Sequence, residues 1–389
     1  MRILMLVATS LATDTRVLRE ASTLAQAGPQ VHVIGKQVPA GFEPADGVSC
    51  SSVGASSVFR AEGAASLGGR RLSPPARMAR WALLPMHRNQ AFGRWAAGAE
   101  RDAADREFDV VHAHDFTALE AGARLAAARG VPLVYDTHEL WSGRPRVGRP
   151  TPLQARREAR IEADLGSRAT AVITVGDGVA GALRERYGWG HITVIRNTFP
   201  LPAVLPAAPP APTGAVYAGR LAPYRELEAI AAASRLVDLP ITLLGPADET
   251  WLASFDPGLA LLRPALPVDD VDQLLTTAGL ALVTHSDRWA NHRLAMPNKL
   301  FHAVRAGVPV IATDVGELGK LVREHGVGEL YRPGDGADLA RAVGRAQERY
   351  PELVAAVLRA APALSWERDS AALLDLYQRL PAPGATVEH

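Results

Sequence analysis

Lysine is scarce in this chain: only Lys36, Lys299 and Lys320 occur among 42 basic residues. The background favours arginine, so the lysine in Pro297-Asn298-Lys299 marks a place where a compact ammonium is wanted. The spacing predicts a helix from Asn298 to Ala306, and the free N–H groups of a first helical turn attract anions. Arg220 and Arg225 fall just after a predicted strand, Ala215–Tyr217. A guanidinium offers phosphate a planar, two-pronged donor. Three cations in strand-to-helix loops of one half of the chain therefore point to a phosphate-bearing ligand.

Other constellations invite different chemistry. His112-Ala-His114-Asp115 ends a predicted strand, whose period of two places both imidazoles on one face. Such a pair can hold zinc in a hydrolase, but no second spaced ligand set accompanies it in the sequence, so no metal is expected. Asp270-Val-Asp272 resembles a metal-binding pair, and helix capping after Pro267 accounts for it. Gly176-Asp-Gly-Val-Ala-Gly181 fits a dinucleotide fingerprint, which also needs an acid about 20 residues on. That place reads Ile195-Arg-Asn-Thr198, and the first strand-to-helix turn, Ala8–Thr13, has no glycine. Nicotinamide binding is excluded.

These residues need elements to hold them. Ile3–Val7 is an unbroken apolar run, as in a strand covered on both faces, and a helix follows over Thr15–Ala27 with Asp14 as its cap and Gly28 at its end. Further strands are predicted at Val31–Ile34, Val110–His112, Leu133–Tyr135, Ala171–Val175 and Ile192–Ile195. Pro200–Pro212 then holds six prolines in thirteen residues, which neither a helix nor a central strand tolerates. Beyond it the alternation restarts with strands at Ala215–Tyr217, Ile241–Leu244, Leu280–Thr284 and Val308–Ile311. The reading is α/β: two doubly wound parallel sheets, at 1–200 and 214–364, joined by a linker at 201–213.

Composition narrows the classes. With 42 basic and 41 acidic residues the formal charge is +1, which argues against a dedicated nucleic-acid binder. Hydrophobic residues at 48% and charged residues at 21% describe a folded chain. The lone Cys50 cannot form an internal disulfide, and no apolar run reaches the ~18 residues of a membrane span. A cytoplasmic protein is expected. Arg60–Arg106 carries nine arginines against four acids, with Trp81 and Trp95 among them. It is the candidate surface for an acidic acceptor or for peripheral contact with the inner membrane face.

Taken in order, the segments HAHD (112–115), YDTHEL (135–140), IRNTFP (195–200), YAGRLAPYREL (217–227), NHRLAMPNKLFHAVRAGVPVIATDVGEL (291–318) and LSWERDSAALLDLYQRL (364–380) form a set. That set resembles the family 4 retaining glycosyltransferases of GT-B fold over nearly the full length. The resemblance implies two Rossmann-like domains facing each other across a cleft, with a last helix (365–382) crossing back onto the first. It implies a nucleotide-diphosphate sugar on the second domain and an acceptor on the first, with no cofactor and no metal. Donor binding falls to Gly219, Arg220, Arg225, Leu294, Pro297, Asn298, Lys299, His302 and Glu317. Gly316 would permit close backbone approach, and Pro297 would set the helix start. His138, at the family's histidine facing the reacting sugar, joins Arg220, Arg225 and Lys299 as catalytic. The acceptor side falls to Asp14, Arg16, His114, Asp115, His138, Glu139 and Asn197.

One departure stands out. The family usually carries two glutamates eight positions apart, and the matching places here are Leu294 and His302. Losing one polar ribose contact costs on the order of 1–3 kcal/mol, which retunes the donor without removing the diphosphate site. The expected activity is therefore sugar transfer to a hydroxyl of a natural product or an envelope glycan. The alternatives are a sugar-nucleotide epimerase on the same architecture, or a relative that binds nucleotide sugar without ordinary transfer. The arginine-rich, alanine-rich composition suggests an actinobacterial source.

Overall fold

The computed structural model describes residues 1–54, 92–143 and 152–382. The chain divides into two compact units. One comprises Met1–Thr174, Ala180–Ile195 and Ala372–His389; the other comprises Val175–Val179 and Arg196–Ala371. Residues 55–91, most of the arginine-rich stretch, lie outside the described residues. The helix at 92–103 follows, and its Trp95 is buried, so that indole is core and not a surface contact.

The first unit is built on seven parallel strands: β1 (Arg2–Ser10), β2 (Gln30–Lys36), β3 (Val48–Ser52), β4 (Val110–His114), β5 (Leu133–Thr137), β6 (Ala171–Thr174) and β7 (Ile192–Val194). They lie in the order β3-β2-β1-β4-β5-β6-β7. The second unit has six: β8 (Gly214–Ala218), β9 (Ile241–Leu244), β10 (Leu261–Arg263), β11 (Gly279–Val283), β12 (Val310–Thr313) and β13 (Gly328–Tyr331), ordered β10-β9-β8-β11-β12-β13. In each sheet the order reverses beside the first strand, and ligands of open α/β sheets bind at the carboxyl ends of strands at such points.

The apolar runs form the sheets because both faces are covered. In β8, Ala215 and Tyr217 pack into one core and Val216 into the other; in β11, Leu280 and Leu282 share the first core, Ala281 and Val283 the second. Asp14 caps the helix Thr15–Gln26 by accepting from the Val17 N–H at 3.3 Å, and Gly28 follows at φ +109°. Strands β4 and β5 are buried throughout although they carry His112, His114 and Asp136. Polar side chains in that position must find partners among themselves. No helix of the described residues is long and apolar enough to cross a membrane.

Candidate functional site

In the second unit the cations gather at the carboxyl ends of β8 and β11. Lys299, in the first turn of the helix Asn298–Arg305, is half-buried, with Nζ 4.9 Å from the centre of the Tyr217 ring. Burial, and after it the charge of Arg225, pushes its ammonium down to about 8. Gly219 makes this possible: a Cβ there would meet Lys299 Cε at 2.4 Å. The loop is held from below, since Tyr217 donates its hydroxyl hydrogen to the Arg220 carbonyl at 3.2 Å and Thr284 donates to the Arg225 carbonyl at 2.7 Å. Tyr224 and Glu226, on either side of Arg225, adopt φ of +67° and +59°. Left-handed backbone at non-glycine residues costs of order 1–3 kcal/mol each and persists where a loop has a task.

Two residues to which the sequence assigned no role complete this end. His285 and His292 stack with ring centroids 5.0 Å apart, and His285 Nδ1 lies 3.0 Å from the His292 carbonyl. Burial, then His292 and Lys299, lowers His285 to about 3; burial and Arg225 lower His292 as well. Both imidazoles are neutral in a positive field. Among the described residues, Arg220, Arg225 and Lys299 form no salt bridge with a carboxylate. An anion is what this arrangement accommodates.

The remaining donor-side candidates fall nearby, with three corrections. Pro297 occupies the N-cap at φ −74° and ψ 138°, one residue before the first turn. His302 does not offer both ring nitrogens, because Nδ1 donates to Asp272 at 3.2 Å and its ring packs 4.0 Å from Phe199. So held, His302 leaves only Nε2 for a ligand. Asp272 does not cap as expected: Pro267 is the N-cap of its helix with no side-chain cap bond, and Asp272 binds His302 and, at 2.9 Å, Arg305. Leu294 closes the short helix Ala290–Leu294. Asn298 accepts from the Asn197 amide at 3.2 Å. Glu317 sits in the first turn of Gly316–His325 with Lys320 3.8 Å away. Gly316 is required there, since at φ +46° a Cβ would stand 1.8 Å from the Arg293 carbonyl oxygen.

The first unit assembles a different cluster at the ends of β4 and β5. Arg16 grips Asp136 with Nε at 2.9 Å and a second nitrogen at 3.0 Å, donates to the Ile195 carbonyl at 2.8 Å and meets Glu20 at 3.0 Å. Burial alone would raise Asp136; Arg16 and His138 instead hold it well below the carboxylate range. His138 Nε2 lies 3.1 Å from Asp136, Nδ1 lies 3.5 Å from Asp115, and its N–H reaches Asp115 at 3.4 Å. Burial would depress this imidazole, but the carboxylates Asp115 and Asp136 outweigh it and lift it to about 9. With 19% of its side chain exposed, His138 is the cluster's opening to solvent. Asp115 adopts φ +61° as it opens the helix Asp115–Arg129.

The expectation that Arg16 and His114 touch an acceptor is corrected, because they are 3% and 0% exposed. Both contact Asp136 instead, and His114 Nδ1 lies 3.4 Å from His138 Nε2. Asp14 is half-buried at its cap and Asn197 half-buried beside Asn298, while the half-buried Glu139 accepts from the Thr137 hydroxyl through its carbonyl. The sequence shows no second ligand set beside His112 and His114, yet the fold supplies one. Glu20 and Asp136 join them, with one ligand-capable atom from each of the four within 4.8 Å of the others. Tyr377, on the helix Trp366–Gln378, brings its hydroxyl to 2.8 Å from His112 Nδ1.

Comparison with known proteins matches this picture. The family model described as Glycosyltransferase Family 4 matches residues 13–201, and that of Glycosyl transferases group 1 matches residues 213–349. A glycogen synthase of Mycobacterium tuberculosis is 30% identical over 250 residues, 60% of this chain and 59% of the relative, so the match spans under two thirds of that protein's length. A D-inositol 3-phosphate glycosyltransferase of Rhodococcus erythropolis is 26% identical over 73% of this chain and 72% of its own. Among solved structures, a sucrose-phosphate synthase from Thermosynechococcus elongatus superposes with a TM-score of 0.73 at 16% identity, covering 97% of this chain and 98% of that one. Anabaena HepE in complex with UDP-glucose gives 0.67 at 16% identity, covering 97% and 99%. With two doubly wound parallel sheets of GT-B type and both halves matched, the chain belongs to glycosyltransferase family 4.

Proposed function

We propose that this protein transfers a sugar, with retention, from a nucleotide-diphosphate sugar to a hydroxyl acceptor. The observation that carries the reading is the cation cluster of the second unit: Lys299, desolvated and in the field of Arg225, with neither paired to a carboxylate among the described residues, and Arg220 exposed in the same loop as Arg225. A departing nucleoside diphosphate develops negative charge, and fixed donors in a water-poor site stabilise it without reorganising. Each cation near ~4 Å from a phosphate charge contributes about 4 kcal/mol at an effective dielectric near 20. The charge of the leaving group is thus met by side chains, and the reaction asks for no divalent ion there.

The acceptor binds the first unit, where His138 is the accessible member of its cluster. Held between two carboxylates, it is a cation that donates, so it orients sugar oxygens and does not serve as a general base. The acceptor's proton passes to the departing phosphate oxygen on the same face, which keeps the anomeric configuration. This is the course the family resemblance supports. Epimerisation would need a base near the sugar, and Leu294 and His302 offer no carboxylate. The substrate is a natural product or an envelope glycan, and the enzyme works in the cytoplasm or on the inner membrane face.

Incubation with a panel of nucleotide sugars, with and without candidate acceptors, tests the reading. Release of nucleotide with a product of retained configuration is expected. Silence with every donor would refute it, and nucleotide binding without turnover would make the chain a non-catalytic relative.

A further inference from the structure

We propose that the buried cluster of the first unit is a structural site for one divalent transition metal of the zinc class, held by His112, His114 and Glu20. The two histidines alternate on β4 and stack with centroids 4.2 Å apart at 21°. Each has its Nδ1 engaged, by the Tyr377 hydroxyl at 2.8 Å and by Asp136 at 3.2 Å. Each has its Nε2 fully buried with no hydrogen-bond partner. Both oxygens of Glu20, 0% exposed, likewise accept no hydrogen bond. A metal-ligating histidine is typically fixed by a hydrogen bond from its other ring nitrogen to a carboxylate or hydroxyl. Asp136 and Tyr377 occupy those outer positions.

Hydrogen bonding alone does not satisfy these atoms. The Asp136 carboxylate accepts from His114 Nδ1, and His114 Nε2 is left without a partner. His112 Nε2 lies 3.9 Å from Glu20, too far for a proton between them to bond both. Burying such groups unsatisfied is costly. Glu20 meets Arg16 at 3.0 Å through one oxygen, and its other oxygen lies 3.9 Å from His112 Nε2. Imidazole nitrogens with a carboxylate suit zinc, at about 2.0–2.2 Å from each ligand. Glu20, His112 and His114 are inaccessible to solvent, so the ion would lie out of a substrate's reach. The ion would tie the helix Thr15–Gln26 to β4 and, through Tyr377, to the last helix. This site is separate from the diphosphate-binding cations and does not rest on the transferase reading.

The test is metal analysis of the full, untagged chain purified without chelator. About one equivalent of zinc or a neighbouring transition metal is expected by mass spectrometry of the digested protein. Cobalt loaded into the metal-stripped protein should give a visible d–d absorption. Glu20→Gln and His112→Gln should each lower metal content at least tenfold; circular dichroism with a cooperative melt identifies the variants that fold. If one variant fails to fold, the midpoint of the stripped wild-type protein, which should rise on adding zinc, serves in its place. Substoichiometric metal with no midpoint rise for zinc, cobalt, nickel or manganese would overturn the proposal. Full metal content retained in a folded variant would do the same.

Discussion

Replacing Lys299 by Met should move stability and ligand binding in opposite directions. Methionine keeps the length of the lysine stem against Tyr217 and removes the charge. In the unliganded protein that charge is a burden, since burial lowers the ammonium from 10.5 to about 8. At 1.36 kcal/mol per unit, the folded state at pH 7 carries a penalty of up to about 3 kcal/mol for keeping Lys299 protonated. The substitution removes that penalty and the repulsion from Arg225, so K299M should unfold at higher denaturant with an unchanged slope. The same substitution deletes one cation from the diphosphate, and a loss of ~2–4 kcal/mol predicts binding weaker by about 30- to 1,000-fold. Urea unfolding and calorimetric titration with UDP and GDP, on wild type and variant, read the two effects. A less stable K299M, or one that binds the nucleotide as well as wild type, would refute the reasoning.

Other outcomes follow from the same geometry. Nucleotide affinity should fall as pH rises above about 8, where Lys299 loses its proton; titrations between pH 7 and pH 10 check this. Because this folded-state value is depressed, the unfolded chain binds more protons between about 8 and 10.5, and the contribution of Lys299 to stability should rise with pH across that window. Arg220→Ala should cost 2–4 kcal/mol of transition-state stabilisation, read as kcat/KM, with stability little changed because the side chain is exposed. Gly219→Ala should weaken nucleotide binding by displacing Lys299, with Arg225 untouched. Asp136→Asn takes from the buried Arg16 its bidentate carboxylate and leaves it the single contact with Glu20, and should destabilise the fold by about 3–5 kcal/mol in denaturant melts.

Much of this was legible in the residues. Continuous apolar runs disclosed the central strands, and the prolines of 200–212 marked the break between two alternations, because both signals are local. Strands β3 and β10 were not legible: VSCSS is largely half-exposed and LLR is exposed, so edge pairing, not burial, makes them strands. The cations of the second unit were readable because each follows a strand or opens a helix. His285 and His292 were not, since only their stacking and the charges around them give them meaning. Glu20 is hidden inside an amphipathic helix, where the sequence pattern shows an ordinary acid. Only the fold reveals that it points inward, 0% exposed, toward two histidines some ninety residues away. Arg16 shows the converse: its place at a helix start suggests exposure, and a bidentate grip on Asp136 buries it.

In the proposed reaction the strand ends of the second unit receive a diphosphate. A crystal of the protein grown with UDP or GDP tests this directly. Phosphate oxygens are expected within hydrogen-bonding distance of Lys299 and Arg225, with Gly219 beneath them. Phosphates bound elsewhere, with those two side chains left in contact with water alone, would contradict it.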